Sequence, residues 1–505
     1  MASDLLNLLF SFQPDLPELQ EKLEYDRQAR SFVSQLANVS GQHFLKGADT
    51  SQDIFEVLNP TVNSIAYTYA LQARIVAAGE NPKLQKNIPD QLRPGGSVWN
   101  KLALFMETFD PVQMRYVGPE WKRLVDYIER VARVMGTPGV AISPIRAGML
   151  RLDRTTGAFT LTHLHFIRLC METRSYVAAL PILDNYIHSL PTTIPKPVLE
   201  QLEYSVPGAD HTNSGEYIHS RSGHTDKITV ADVQEYYLLG AMAYIGLRQF
   251  KQAKQFLEHI LVTPSSNLAN GLMLEAYKKW VLVSCLANGS VPPLPRTVNC
   301  AAIKQVRAAS RPYEALAEAF TQIHNLPKLK SQANAGKDTW AEDGNTGLVN
   351  ELRDHQYRVY ISRLSRTYSA IPVSNISNFI GGSVDELTHY LEMLTDEGHL
   401  NARLERISKP EEIVVLRFFL DPTQGPLAKT EKQQQQALLG QTERTNILAE
   451  QVKSADYRLS LTKEYVEHVK RQSKKAAANA AGDAMDTTWG DGVVPEEEDM
   501  MADLH

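Results

Sequence analysis

Cysteine is scarce in this chain, whose 505 residues include three: Cys170, Cys285 and Cys300. An odd number at wide spacing fits neither the disulfide framework of a secreted protein nor a thiolate metal site. Long apolar runs are missing too, since no stretch approaches the ~20 apolar residues that a membrane span needs. The N-terminal run "DLLNLLF" follows no basic region and precedes no small-residue cleavage site, unlike a signal peptide. We therefore expect a protein of the cytoplasm or nucleus with no membrane segment.

Positive charge and the usual catalytic motifs are also lacking. The net charge is −6, whereas a dedicated nucleic-acid binder needs a concentrated basic surface to contact phosphates. The chain contains no Gly-Lys-Ser/Thr phosphate loop, no G-x-S-x-G nucleophile elbow and no G-x-G-x-x-G after a strand. We expect no enzymatic activity, no catalytic residues, no cofactor and no bound metal.

The motif nearest to a metal site is His163-Leu164-His165. Metalloprotease-type isopeptidases follow such a pair with Ser and Asp at fixed distances, but the matching positions here hold Thr173 and Tyr176, so the aspartate ligand is missing. The segment also has helical periodicity, and positions i and i+2 of a helix point to different sides. We predict one half-buried and one surface histidine rather than a zinc site.

What the chain does have is an ordinary globular composition, with 43% hydrophobic and 22% charged residues, and a length that suggests about three structural units. Apolar residues at intervals of three and four predict a helical region over 1–98 and paired helices over 99–345. A polar stretch rich in Pro, Gly and Ser at 190–232 predicts a flexible insertion.

One helix pair has the offsets of a tetratricopeptide repeat. Tyr236, Leu239, Gly240 and Pro264 occupy repeat positions, whereas the second-helix alanine and aromatic positions are shifted by one residue. We expect Gly240 to permit close approach of the two helices and Pro264 to end the second. The fold class is mainly α: a TPR-like helical-repeat solenoid, then a winged helix and a long C-terminal helix.

The winged helix is predicted over 346–421. Ser383 and Glu386 form the pattern of a capping box, and Gly398 occupies the position of a left-handed helix C-cap. The stretches "HLNARLE" and "EIVVLRFF" flank a turn and predict a β-hairpin. The helix before them places on its buried face a set of leucines that we assign to the winged-helix core: Leu387, Leu391 and Leu394, with Tyr390 beside them.

A winged helix raises the alternative of nucleic-acid binding. A helix that contacts DNA needs Arg, Lys, Asn or Gln, but the helix from Ser383 to Glu397 has neither Lys nor Arg. Basic residues of the hairpin keep a weak version of this alternative open: Arg403, Arg406, Lys409 and Arg417. The carboxylates of the helix are explained by helix-start charge and a solvated face, not as an acid/base pair: Asp385, Glu386, Asp396 and Glu397.

Residues 427–472 predict one long helix with a heptad seam. The large seam residues alternate steps of four and three: Leu448, Val452, Leu459, Val466 and Val469. Lys470–Lys475, "KRQSKK", resembles a short nuclear-import signal, and a basic helix end is the alternative explanation. The acidic tail 473–505 lacks the apolar content to fold, so we predict that it is disordered.

Helical repeats that run directly into a winged helix resemble the PCI domain, about residues 236–421 here. PCI proteins occur in the proteasome lid, the COP-nine signalosome and the translation initiation factor three complex. The stretch Tyr236–Gly289, with its core "LEAYKKWVLVS", and "NTGLV" at Asn345–Val349 resemble the family of third subunits of the signalosome. The resemblance extends roughly from Trp99 to Asp421.

This resemblance implies a non-catalytic scaffold subunit of the complex that removes the ubiquitin-like modifier NEDD8 from cullins, and so regulates cullin-RING ubiquitin ligases. The implied partners are the other PCI subunits, the metalloprotease-fold subunits and, indirectly, cullin-RING ligases. Family winged helices assemble edge to edge, which suggests an edge strand with partner-binding residues Ile413, Val415, Arg417 and Phe419. Family C-terminal helices form a bundle, for which the seam is the candidate surface. The alternative for the seam is that the helix folds back on its own repeats.

Overall fold

The computed structural model describes residues 7–12, 23–46, 53–78, 88–191, 206–209, 211, 213–263, 268–322, 326–380, 383–407, 413–421 and 423–485. The chain divides into two compact units, and the division of the described residues falls near the middle of a C-terminal helix, where the larger unit ends at Arg444 and the smaller unit continues from Thr445. None of the described helices combines the length and the apolar character that crossing a membrane requires.

The repeat region of the larger unit is helical. Its described helices are α1 (Leu23–Ala37), α2 (Gly41–Lys46), α3 (Ile54–Val57), α4 (Ser64–Ala77), α5 (Ser97–Thr108), α6 (Pro111–Met114), α7 (Gly118–Val134), α8 (Ile142–Leu152), α9 (Leu161–Glu172), α10 (Tyr176–Leu183), α11 (Val230–Gly246), α12 (Phe250–Val262), α13 (Gly271–Asn288), α14 (Cys300–Ala309), α15 (Arg311–Thr321), α16 (Leu326–Ala335) and α17 (Lys337–Glu342). Together with its winged helix this architecture confirms the predicted mainly α fold.

Helix α7 illustrates why these segments fold as they do. Pro119 in its first turn presets the backbone angle, Glu120 follows it, and Arg133 lies in the last turn, so both charges match the helix dipole. Its buried face consists of residues spaced by three and four: Trp121, Leu124, Val125, Ile128 and Val131. This face joins the single core that runs through the repeats as far as Leu352.

The hairpin of α11 and α12 confirms the predicted close approach at Gly240. A Cβ atom added to Gly240 would lie 2.7 Å from the Phe256 ring of α12, so a larger residue would push the helices apart. The turn of this hairpin contains Arg248 at φ 60°, and the turn between α9 and α10 contains Arg174 at φ 56°. Two successive hairpins therefore use the same left-handed turn. Pro264 lies outside the described residues.

The prediction of a flexible insertion at 190–232 is wrong for its described second half. Arg115 donates hydrogen bonds to the carbonyls of Pro207 (2.8 Å) and Ala209 (2.9 Å), and its guanidinium lies 3.9 Å from the centroid of the Tyr217 ring. His224 is fully buried and bonds through Nε2 to the carbonyl of Met114 at 3.2 Å. Single anchoring residues, which carry no periodic signal, hold this polar segment in place.

The winged helix has its own small core, separate from that of the repeats. It consists of α18 (Thr346–Leu364), β1 (Ala370–Pro372), α19 (Val373–Ile380), α20 (Val384–Asp396), β2 (Ala402–Ile407) and β3 (Ile413–Phe418). The predicted core residues Leu387, Leu391 and Leu394 are all buried. Ser383 Oγ accepts the backbone N–H of Glu386 at 3.2 Å, which is the Ser383 half of the predicted capping box, and Gly398 has φ 72°, as predicted for a left-handed C-cap.

The predicted single C-terminal helix is two helices, α21 (Glu431–Ser460) and α22 (Lys463–Met485). At the break, Ser460 Oγ donates to the carbonyl of Tyr457 and Thr462 Oγ1 donates to that of Leu459. Such local side-chain bonds compete with helical hydrogen bonding. The prediction of disorder from residue 473 is wrong as far as Met485, where an alanine-rich sequence continues the helix. Residues 486–505 lie outside the described residues.

Candidate partner-binding surfaces

The histidine pair does not converge on a common point. His163 is buried and accepts the N–H of Thr160 through Nδ1 at 3.1 Å, and burial lowers the pKa of its imidazole to about 4. His165 is partly exposed and lies 3.7 Å from Glu129. His163 is thus a neutral helix-capping residue, more deeply buried than predicted. Within the described ranges, no group of three or more His, Cys, Asp or Glu is arranged to hold a metal ion.

The acidic helix of the winged helix offers no acid/base pair. Asp385 and Glu386 lie in the first turn of α20, whereas Asp396 and Glu397 lie at its end, about 16 Å away along the axis. Two of the hairpin arginines already have acidic neighbours: Arg406 lies 3.6 Å from Glu392, and Arg417 lies 3.2 Å from Glu405. Lys409 lies outside the described residues, and the described part of the hairpin gives nucleic-acid binding no support.

The two stretches that carry the family resemblance meet in space. Lys278 and Lys279 belong to "LEAYKKW", Asn345 is the first residue of "NTGLV", and Asp343 precedes it by two residues. Lys278 Nζ donates to Asp343 at 2.7 Å, and the buried Lys279 Nζ donates to Asn345 Oδ1 at 2.8 Å. Tyr313 joins them, because its hydroxyl donates to Asp343 at 2.7 Å and accepts from Asn345 Nδ2 at 2.8 Å. This cluster was not predicted, although two adjacent lysines inside an apolar run are a signal of it in the sequence.

Burial alone would raise the pKa of Asp343, but hydrogen bonds from Lys278 and Tyr313 outweigh it and lower that pKa. The carboxylate therefore stays ionised. The cluster fixes the turn that leads into α18, the first helix of the winged helix.

Helix α18 belongs to both cores, since Leu352 lies in the core of the repeats and Ile361 in that of the winged helix. Polar contacts also hold α18 against the repeats. Glu351 pairs with Arg248 of the left-handed hairpin turn, and Gln356 Nε2 donates to the carbonyl of Phe320 at 3.1 Å. Arg363 donates to the carbonyl of Gly289 at 2.9 Å. The repeats thereby set the direction in which the winged helix presents its surfaces.

The prediction that Ile413, Val415, Arg417 and Phe419 line an exposed strand edge is wrong. The sheet order is β1-β3-β2, so β3 is the central strand, with β1 paired over residues 415–417 and β2 over 413–418. Phe419 N–H donates to the carbonyl of Asn401 and Phe418 N–H to that of Ser369. Because antiparallel hydrogen bonds alternate in direction, odd-numbered β3 residues bond to β2 and even-numbered ones to β1. Strand order depends on a long-range pairing that residue patterns do not encode.

The alternation also shows which backbone groups face outward on the edge strands. Every second residue of β2 lies opposite an odd-numbered β3 residue and hydrogen-bonds to it. The residues between them, Ala402, Leu404 and Arg406, therefore direct their N–H and C=O groups away from the sheet. The other edge, β1, has three residues and ends at Pro372, which has no N–H to donate. Strand β2 is therefore the edge better suited to pairing with another chain.

The C-terminal seam presents a second exposed surface. Its large residues are between 40% and 58% exposed: Leu448, Val452 and Leu459 on α21, and Val466 and Val469 on α22. Neighbouring positions of α21 are more covered, and Gln451 is buried. Within the larger unit, Arg444 lies 5.4 Å from the centroid of the Tyr186 ring. This contact joins the first half of α21 to the helical repeats of the larger unit.

Comparisons with known proteins place these features in context. A family model described as COP9 signalosome complex subunit 3, N-terminal helical repeats, matches residues 27–302. A COP9 signalosome complex subunit 3 from Emericella nidulans is 29% identical over 486 residues, covering 95% of each chain. That of Neurospora crassa is 25% identical with 99% of each chain covered, and that of Arabidopsis thaliana is 23% identical with 73% of each covered.

Proposed function

The chain belongs to the COP9 signalosome subunit 3 family, and from this we propose that it is a non-catalytic scaffold subunit of the complex that removes NEDD8 from cullins. The family match over most of the repeat region carries this proposal. Because His163 and His165 do not converge on a common point, they favour the role of a scaffold over that of a metal-dependent hydrolase. Acting in the nucleus and cytoplasm, the subunit regulates cullin-RING ligases indirectly by holding other PCI subunits and the metalloprotease-fold subunits in place.

Affinity purification of the tagged full chain, followed by mass spectrometry, tests this assignment. We expect the other signalosome subunits to co-purify. Recovery of proteasome-lid or translation-factor subunits instead would assign the chain to a different PCI complex. The purified chain alone should leave a neddylated cullin intact, and cleavage by the isolated chain would contradict the scaffold role.

Strand β2 is the first proposed attachment site, where a neighbouring winged helix extends the sheet through the outward groups of Ala402, Leu404 and Arg406. Arg406→Pro removes the outward N–H at a position whose side chain is exposed, and proline is tolerated there because that N–H does not bond to β3. We expect the variant to fold but to lose co-purification of at least one partner.

Arg406→Ala is the matched control, because it removes the same side chain and the same 3.6 Å contact with Glu392 but keeps the N–H. It should co-purify its partners as the wild type does. Equal recovery of partners by the Pro and Ala variants would show that the β2 backbone takes no part in assembly.

The C-terminal seam is the second proposed attachment site, packing in a bundle with helices of other subunits. Burying each large aliphatic side chain contributes about 1.5–3 kcal/mol before the entropy cost of ordering, so several together can hold a subunit. We expect the triple variant Val452→Asp, Leu459→Asp and Val466→Asp to remain folded as a free chain and to lose its partners.

An equally charged control places aspartate at exposed neutral positions of the same helices that lie off the seam: Gln435, Asn446 and His468. The control should assemble normally. If the seam variant lowers the unfolding midpoint of the free chain, the helix packs on its own repeats. If the seam variant is folded and fully assembled, the seam is not an anchor.

A further inference from the structure

The basic segment Lys470–Lys475 contrasts in charge with the rest of the chain. Four of its six residues are Lys or Arg, and no acidic residue occurs from His468 to Gly482. The 23 residues from Asp483 to the last residue, His505, contain eight acidic residues and no Lys or Arg. A concentrated positive segment in a chain of net charge −6 is a surface feature that needs an explanation.

A helix-end role does not explain it. Basic residues are favourable in the last turn of a helix, where they meet the negative end of the dipole. Helix α22, however, continues ten residues beyond Lys475 to Met485, and its last turn contains no basic residue. The dipole effect falls off within the last turn, so these bases gain little from it.

Intrachain pairing among the described side chains does not explain it either. The side chains of Lys470, Arg471 and Lys474 are exposed. Arg471 lies 3.5 Å from Glu467, one turn earlier, where both side chains are largely exposed. Such a surface pair contributes little to stability. The segment therefore keeps its charge available to a partner.

We propose that Lys470–Lys475 is a nuclear import signal, bound as an extended segment by an import receptor with an acidic groove. A short run of Lys and Arg is the chemistry that such receptors recognise. The segment lies beyond the last seam residue, Val469, and its described side chains, those of residues 470–474, are all exposed. Such an end unwinds at low cost, which lets the receptor take it in extended form.

On the helix, the four bases occupy positions i, i+1, i+4 and i+5 and share one face. With 100° of rotation per residue, Lys470, Lys474, Arg471 and Lys475 lie about 40°, 80°, 140° and 180° round the helix from Val466, whereas Val469 lies about 60° round in the other direction. Binding to the receptor is thus separable from the seam. This inference does not depend on the proposed attachment sites.

The test uses the purified, fluorescently labelled full chain in permeabilised cells supplied with purified import receptors and an energy source. No other signalosome subunit is added, so the chain cannot enter as a passenger on its partners. We expect receptor-dependent nuclear accumulation of the wild type. We expect a several-fold lower nuclear-to-cytoplasmic ratio for the quadruple variant Lys470→Ala, Arg471→Ala, Lys474→Ala and Lys475→Ala.

The matched control removes the same charge from four exposed lysines elsewhere in the C-terminal region: Lys429, Lys432, Lys453 and Lys463. It should accumulate like the wild type, and far-ultraviolet circular dichroism should show equal helix content in all three proteins.

Equal accumulation of the wild type and the quadruple variant, or accumulation without receptors, would overturn the proposal. So would salt-dependent binding of duplex DNA that the quadruple variant alone loses, because the segment would then contact nucleic acid. Co-purification from cells reports separately on the scaffold role.

Discussion

Asn345→Ala should destabilise the chain by removing both partners that this amide supplies to the polar cluster. Its Oδ1 accepts the ammonium of the buried Lys279 at 2.8 Å, and its Nδ2 donates to the Tyr313 hydroxyl at 2.8 Å. A hydrogen bond to a charged group is worth about 1.5–3 kcal/mol and a neutral one about 1 kcal/mol. We expect a loss of about 2–4 kcal/mol in the free energy of unfolding.

Lys279→Met should partly rescue Asn345→Ala. In the single variant the buried ammonium loses its hydrogen bond to Asn345, and its remaining described ion-pair partner is Glu275, 3.3 Å away and half exposed. Removing the lysine as well removes the uncompensated charge, and apolar replacement of a buried ionic group is often neutral or stabilising. We therefore expect the double variant to be more stable than Asn345→Ala alone, with a coupling energy above about 1 kcal/mol.

Urea denaturation followed by tryptophan fluorescence measures this cycle. Trp340 reports on the cluster, because its ring centroid lies 4.6 Å from that of Tyr313. Lys304→Met, at an exposed position of α14, controls for a lysine-to-methionine change and should alter stability by less than about 0.5 kcal/mol. If the losses of the two single variants simply add in the double variant, Lys279 does not depend on Asn345 and the reasoning is wrong.

Two further predictions concern burial. Burial lowers the pKa values of His163 and His224 to about 4, so below pH 6.5 the unfolded state binds more protons than the folded state. Each histidine therefore contributes about 3 kcal/mol to the free energy of unfolding. This contribution is complete above pH 6.5 and is lost as the pH falls towards 4. The unfolding midpoint of His224→Gln should therefore depend less on pH between 6.5 and 4 than that of the control His165→Gln, and equal slopes would contradict this. Gly240→Leu should lower the thermal midpoint by several degrees through overpacking against Phe256, and an unchanged midpoint would show that the helices separate freely.

Local patterns were sufficient for the features that depend on neighbours in the chain. The spacing of Leu387, Leu391 and Leu394 placed three side chains on one helical face, and that face is buried. Gly398 marked the helix end through its left-handed angle. The divergence of His163 and His165 followed from helix geometry alone. In each case the distance along the chain is at most a few turns of helix, so backbone geometry determines the outcome.

Features that join distant residues were decided by the tertiary structure. Strand β3 resembled an edge strand in sequence, but pairing with Ala370–Pro372, more than 40 residues away, makes it central. The composition of the polar insertion predicted flexibility, whereas His224 within it bonds to the carbonyl of Met114. Lys279 meets Asn345 across 66 positions. An amphipathic pattern specifies that a face is buried, but many partner surfaces could bury it equally well. Packing and hydrogen bonding across the whole chain select the partner, and no single stretch of sequence contains that information.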